Sequence, residues 1–508
     1  MQRPLRAMAI AGAFTALTAV AGCGDLSVPN LNSPDQSKAL SDGASIANLI
    51  GNSFASWFNQ TEGYYPAIGV SSAADELTSA YGNFGMRFEA LEPRGPYLNI
   101  DNGSDDSKMT KTAWSNWYAT LGSVNDGLNA IKNNGGKLVV GGQDQTDMMT
   151  SLAYLIQGGV LSDLGLTFDQ AAIVDETSDP TKTKFSPQKD VIAAALAKFD
   201  KAIASTQGKS WSVPQTYDED LNLNPDRVAR LAASLAARTL LLSSRTAAQN
   251  SANDWAKILS YAQKGISTGS DPFDFNPSGT LTNAFGSAFK AYVEEDTWTR
   301  VDTRIVHLMD PTYPEHYPTA PPVPPTASSP DARFGTDYVF IKNIPFDPSR
   351  GYFFFSNYAH KRWVYLAASD PNGTGPIPDM LRAENDLMIA EALVHTNGDL
   401  NLAASLVNKT RVGRGKLPAV TAAGVPQSAD CLPRHSDGTC GTLLDAIMYE
   451  RRIDLYGTGP FNAWGDRRRT DDLQPLTFRI LPVPASELQT LSMPVYTFGG
   501  PGNPDGGN

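Results

Sequence analysis

Residues 226–262, DRVARLAASLAARTLLLSSRTAAQNSANDWAKILSYA, decide the fold. Val228, Leu231, Leu235, Leu240 and Leu242 form an apolar run at helical spacing, and Ala229, Ala232, Ala233, Ala236 and Ala237 between them let a second helix approach closely. Pro225 precedes the run and Asp226 is the expected cap. A turn containing Asn253 follows, and Trp255, Ile258, Leu259 and Ala262 then resume the apolar pattern. This is a helix–turn–helix unit whose apolar faces need neighbours.

The same kind of unit recurs on both sides. Trp114, Trp117, Leu121, Val124, Leu128 and Ile131 alternate spacings of three and four, which predicts a helix from about 108 to 132 with both tryptophans in the core. Ser186 and Pro187 offer a cap and a first-turn proline for a helix carrying Val191, Ala195, Leu196, Phe199 and Ile203. Leu381 to Leu393 is apolar on one side. Asn397, Gly398 and Asp399 make a turn, Leu402, Leu406 and Val407 continue, and Gly413 stops the run. Stacked antiparallel pairs of this kind predict a mainly α, tetratricopeptide-like array without a strict repeat motif. The array is expected over about 36–268 and 378–470. Residues 269–377, with Pro311, Pro314, Pro318, Pro321, Pro322, Pro324 and Pro325, are too rich in proline for helix. Their many aromatics predict an ordered, loop-rich insertion, the expected ligand region.

The N-terminus reads as a secretory signal over residues 1–22. Arg3 and Arg6 precede an apolar run from Ala7 to Val20, too short to span a bilayer, and Val20-Ala21-Gly22-Cys23 ends it like a lipobox. Cys23 is the expected lipidation site. Acyl chains contribute about 0.8 kcal/mol per buried methylene, so the mature chain is expected to be held on a membrane by lipid alone. The remainder is globular in composition, 41% hydrophobic and 19% charged, and a net charge of −12 argues against nucleic-acid binding. Cys431 and Cys440 are left as an expected disulfide in an exported protein. Two cysteines cannot complete a structural zinc site, and His435 between them adds at best a third ligand.

The C-terminal motifs carry a family resemblance. Leu381-Arg382-Ala383-Glu384 with Ile389-Ala390-Glu391-Ala392-Leu393, then Val407-Asn408-Lys409-Thr410-Arg411, then Tyr449-Glu450-Arg451-Arg452 with Trp464 to Arg469, and last Ile480 to Leu488, resemble in order the motifs of SusD/RagB outer-membrane nutrient-binding lipoproteins. The N-terminal half is a looser match through Ala74-Asp75-Glu76, the Trp114/Trp117 helix with Asn125, and residues 155–166. There Gln157, Gly158, Gly159 and Val160 replace the family's usual Arg-Ala-Tyr-Tyr. The resemblance implies a helical, SusD-like domain over 23–508, anchored at the outer membrane and facing the cell exterior. It also implies capture of oligosaccharides or other oligomers for a SusC-like TonB-dependent transporter, with no catalysis and no cofactor. Two other readings compete: a protein-interaction scaffold without a nutrient ligand, and a surface glycosidase.

A sugar ring stacks its C–H face on aromatic rings, and its hydroxyls need polar groups at the rim. Tyr64, Tyr81, Phe84, Trp298, Tyr313 and Tyr317 lie among Gly, Pro and polar residues, outside any helical stripe, and with Arg87 are the expected ligand contacts. Tyr65 and Trp363 share that setting, and Asp75, Asn83 and Arg300 are further rim candidates. Arg382, Glu384, Glu391, Glu450, Arg451, Arg452 and Asp466 invite a carboxylate-pair reading of glycoside hydrolysis. Their places beside apolar stripes and opposite charges favour ion pairs that lock helices. Gly265-Ile266-Ser267-Thr268-Gly269 lacks the strand that a nucleophile elbow needs, and Gly208-Lys209-Ser210 lacks the first P-loop glycine. Asp220, Asn222 and Asn224 begin like a calcium loop, but Pro225 and Leu231 exclude an EF-hand. His307, His316, His360, His395 and His435 form no pair at metal-ligand spacing, so no metal site is expected.

Overall fold

Asn224 accepts a hydrogen bond from the Arg227 amide and Pro225 occupies the first turn, so the central helix runs Pro225–Ser243. The cap is therefore Asn224, two residues before the expected Asp226, because only a residue ahead of the proline adopts the extended conformation that a cap requires. The computed structural model describes residues 40–179, 182–279, 285–316, 326–342, 356–370 and 373–498. Gly43–Thr61, Asp105–Asn133, Thr146–Thr167, Gln188–Ser205, Pro225–Ser243, Trp255–Ala262, Arg382–His395 and Leu400–Arg411 are helices, each packed on the next. Leu443–Ile453 closes the series against the last two. The fold is mainly α with helix-pair packing, and the strands among the described residues form two-stranded antiparallel pairs only. No helix among them is long and apolar enough to cross a membrane.

Local chemistry accounts for the helix ends. Ser104 caps the 105–133 helix, and Asp105 and Asp106 in its first turn complement the positive end of the helix dipole. The 188–205 helix has no side-chain cap, because Ser186 pairs in a short strand with Ala171 instead of capping as expected. Asp399 caps the 400–411 helix. Trp114 and Trp117 are buried, as their spacing predicts. The Gly158-Gly159 pair marks a close approach: a Cβ on Gly158 would lie 2.6 Å from the Phe199 ring, and one on Gly159 2.2 Å from the Trp57 ring. Gln157 donates to Asn125 Oδ1 at 2.6 Å and to Glu176 at 2.9 Å.

Two apolar cores result. One runs through the helical array, and the other joins Ala67, Ile68, Leu77 and Met86 to Phe289, Tyr292, Val301, Ile305, Tyr338, Tyr358 and Tyr456. The insertion is thus packed where it is described, with its own core shared by both flanking parts of the chain. Cys431 and Cys440 are bonded, with Cα atoms 5.8 Å apart.

Buried ion pairs fasten these parts. Arg238 binds Asp379 and Glu384, Arg333 binds Asp331, Glu450 and Asp454, and Arg469 binds Glu391 and Asp466. Arg451 adds a second contact to Asp466. Glu384, Glu391, Glu450 and Asp466 are therefore helix-locking carboxylates. Asp75 is the widest junction, reached by Arg94, Arg304 and Arg467, and by the Gln474 amide. Burial opposes its ionisation, but the three guanidiniums, Arg467 foremost, hold the carboxyl below its ordinary range. Asp75→Asn leaves three buried cations short of a counter-charge and is expected to cost about 3–5 kcal/mol. Thermal and urea unfolding check this, and a loss under about 1 kcal/mol would contradict it.

Asp163 behaves in the opposite way. Burial pushes its carboxyl up to about 7, although Thr61 Oγ1 at 2.6 Å and Trp57 Nε1 at 2.7 Å donate to it. Between its ordinary value near 3.8 and about 7, the folded chain holds a proton that the unfolded chain has released. The contribution to stability is thus full below the lower value and declines as pH rises to the upper one. Asp163→Asn is expected to flatten that part of the slope in urea unfolding between pH 5 and 7.5. Parallel slopes in the two proteins would refute the assignment.

Candidate functional site: an aromatic platform

Leu77–Thr78 pairs antiparallel with Arg300–Val301, Leu77 opposite Val301 and Thr78 opposite Arg300. This pairing places segment 79–87 beside segment 292–298, far apart in sequence. Ser79 Oγ donates to the Trp298 carbonyl at 2.6 Å, and the Tyr81 amide donates to Ser79 Oγ at 3.0 Å. A second tie lies below. Lys290 Nζ sits 3.1 and 3.2 Å from the two Glu62 carboxylate oxygens with both side chains fully buried, and Ser287 Oγ donates to the same carboxylate. The Phe289 amide donates to the Glu62 carbonyl. The Ala288–Val293 helix is thereby fixed against the turn carrying Tyr64 and Tyr65.

Four rings meet where these ties converge. Tyr64 and Phe84 stack with centroids 4.2 Å apart and planes 4° from parallel. Tyr292 stands edge-on to both, at 5.7 and 5.1 Å, and Trp298 lies 4.7 Å from Tyr292. Tyr65 supports Phe84 from the side at 5.2 Å. Tyr64 is 38% exposed, Phe84 and Trp298 are half-buried, and Tyr292 is buried beneath them. Phe84 has φ 56° and ψ 28°, a left-handed conformation that a bulky side chain adopts at a cost of about 1–2 kcal/mol. Strain of this kind gathers at sites that must present a side chain in one direction. Burial raises the Tyr292 hydroxyl above its ordinary range, so it stays a neutral phenol.

The expected contacts separate into groups. Tyr64, Phe84 and Trp298 come together. Tyr81 and Arg87 are half-buried on the segment that carries Phe84, and Arg87 makes no hydrogen bond or ion pair among the described residues. Tyr313 is buried, 4% exposed, edge-on against Tyr358, and is not part of the platform. Trp363 is buried too. Asp75 and Arg300 are interior: Asp75 is the ion-pair junction above, and Arg300 donates to the Asp296 and Ser356 carbonyls. Tyr317 and Cys23 lie outside the described residues. Tyr292 was not foreseen, because it falls in a short helix and reads as core. The spacing of Phe289, Tyr292 and Trp298 was the available signal.

Two other open clefts among the described residues have no aromatic lining. One of about 340 Å³ is lined by charges, including Arg362, Arg382, Lys409, Arg414, Asp386 and Asp454. Another of about 410 Å³, between the 43–61 and 105–133 helices, is lined by small and neutral polar residues including Ser56, Asn59 and Asn116. Among the described residues no group of three or more His, Cys, Asp or Glu is placed to hold a metal ion.

No family model matches the sequence, and no curated protein matches it. Solved structures do. The chain is similar to a SusD homolog from Bacteroides thetaiotaomicron, with TM-score 0.59 and 14% identity over 89% of this chain and 97% of that one. It is similar to a SusD-like carbohydrate binding protein from Bacteroides vulgatus, with TM-score 0.54 and 16% identity over 84% and 83%. A laminarin binding SusD-like protein gives TM-score 0.58 and 14% identity over 87% and 97%. At these identities the likeness establishes a SusD-like fold.

The Glu62–Lys290 pair is the support that can be tested alone. Lys290→Met leaves a buried carboxylate without its cation and is expected to cost about 3–5 kcal/mol. The double variant Glu62→Gln/Lys290→Met is expected to recover at least about 1.5 kcal/mol of the summed single losses, measured as a double-mutant cycle in urea. Strictly additive losses would contradict the coupling.

Proposed function

We propose that this chain is a surface lipoprotein that captures oligosaccharides on the Tyr64, Phe84, Tyr292 and Trp298 platform and passes them to a SusC-like TonB-dependent transporter. The supporting observation is the platform itself. Two surface rings are stacked in parallel, a buried phenol sits beneath them, an indole lies alongside, and the Arg87 guanidinium, without a partner among the described residues, is available on the same segment. A sugar lays its C–H face on Tyr64 and Trp298, while Arg87, Tyr81 and Asn83 meet its hydroxyls at the edge. Two of the similar structures are described as a carbohydrate binding and a laminarin binding protein, and the same class of ligand is proposed here. Glu384, Glu391, Glu450 and Asp466, the carboxylates the sequence singles out for hydrolysis, are held by arginines away from the platform, which favours binding without cleavage.

The remaining assignments follow from the sequence. Residues 1–22 form the signal peptide, Cys23 carries the lipid, and 23–508 form one SusD-like domain whose 269–377 region, with segment 64–87, faces the ligand. The protein sits on the outer membrane facing outward, held by its acyl chains.

Calorimetric titration with a panel of neutral oligosaccharides, with product analysis of the same samples, tests the reading. Saturable binding without cleavage is expected. Tyr64→Ala and Trp298→Ala should each weaken it about tenfold, the scale of a lost aromatic contact worth about 1.4 kcal/mol, while Tyr313→Phe leaves it unchanged. Unaltered affinity in both alanine variants, or appearance of shortened products, would overturn it.

A further inference from the structure

Segment 86–106 folds back from the platform to the start of the 105–133 helix and encloses an open cleft of about 340 Å³, lined by Phe88, Glu89, Leu91, Ser104, Asp105 and Asp106 among others. Asp105 and Asp106 have structural reasons to be there. They stand in the first helical turn, Asp105 accepts from the Tyr65 hydroxyl, and Asp106 accepts from the Leu98 amide. Glu89 has none. It is 8% exposed, lines the cleft, and makes no hydrogen bond or ion pair among the described residues. Its carboxyl faces the cleft with no protein partner among the described residues, so a cationic group entering the cleft meets an acceptor that nothing else in the fold uses. The groups that act on it electrostatically are Arg94, which is committed to Asp75, and Asp106, with Asp105 beside Asp106. Phe88, 54% exposed, gives the cleft an apolar wall.

Three carboxyls, one of them without a protein partner among the described residues, beside an exposed ring make a site for a cation that also carries a ring or methylene face. The cleft adjoins the platform through a single side chain: the Tyr65 ring packs on Phe84 and its hydroxyl binds Asp105. We propose that this cleft is a subsite for a protonated primary amine, so that the preferred oligosaccharide carries amino-sugar units that are not acetylated. The inference rests on the platform reading above. The ammonium donates to Glu89 and Asp106, and the ring that bears it lies against Phe88.

Proton linkage follows from the same geometry. Burial pushes the free Glu89 carboxyl up to about 8, with Arg94 pulling the other way and Asp106 adding to the rise. At pH 6.5 the empty cleft holds this proton, and an entering ammonium displaces it to solvent, which favours binding as pH rises until the sugar amine, itself titrating near neutrality, loses its own proton.

The test titrates the protein with a tetramer of β-1,4-linked glucosamine and with its fully N-acetylated counterpart, at pH 6.5 in two buffers of different ionisation enthalpy. The amine tetramer is expected to bind about tenfold or more tightly than the acetylated one, with a net release of protons, the Glu89 proton less what the partly neutral amine takes up. Glu89→Gln should reduce the preference to within about twofold and abolish the proton release while preserving the thermal midpoint, whereas Tyr64→Ala weakens both tetramers alike. Equal affinity for the two tetramers, a preference that survives Glu89→Gln, or binding of a lysine-containing peptide in place of the amine tetramer would each overturn the subsite. Loss of the preference with platform binding intact would leave the platform reading standing, so the two failures are distinct.

Discussion

The carboxylate of Asp75 is shared by Arg94, Arg304 and Arg467, and the rest of the structure is arranged around that sharing. These four residues belong to the first helical layer, the segment leading to the long 105–133 helix, the insertion and the C-terminal helix. In a low-dielectric interior an unpaired guanidinium is too costly to tolerate, so the four segments are held in one relative position or the charges go unmatched. The Arg333 cluster repeats the device between the insertion and the C-terminal helices, and the Arg469 cluster among those helices themselves.

The platform inherits its geometry from this junction. Asp75 lies two residues before the Leu77–Thr78 strand, and Arg304 three residues after its partner Arg300–Val301, so the ion pair and the strand register are set together. The Asp302 amide donating to the Glu76 carbonyl reinforces that register. Glu62 and Lys290 then fix the other side, and the rings of Tyr64, Phe84, Tyr292 and Trp298 are left where the two constraints meet. Tyr292 sits on the short 288–293 helix and the other rings on short irregular segments, all bolted to buried charge pairs, which is how such segments can present a rigid surface.

Much of the helical array was legible because periodicity is a local property: the Trp114–Ile131 stripe and the 226–262 unit need no knowledge of the rest of the chain. Glu384, Glu391, Glu450 and Asp466 were legible as ion-pair members for the same reason, sitting beside apolar stripes. Arg451, which binds Asp466, was legible with them, but the partners of Glu384 and Glu450 were not, since Arg238 and Arg333 lie 146 and 117 residues away. Gly158 and Gly159 read as a departure from a family pattern and proved to be the close approach to Phe199 and Trp57, a fact of packing that no single segment encodes. In the loops, residue type alone singled out Tyr64, Phe84 and Trp298 together with Tyr313, because an aromatic among glycines and prolines looks the same whether tertiary packing leaves it at the surface or covers it.

A crystal structure of the protein with the tightest-binding oligosaccharide of a panel tests the central claim most directly. The account predicts a sugar ring lying on the outward face of Tyr64 within reach of Trp298, with Arg87 donating to its hydroxyls. A sugar seated in the polar groove between the 43–61 and 105–133 helices, against Ser56, Asn59 and Asn116 with the aromatic rings bare, would contradict it.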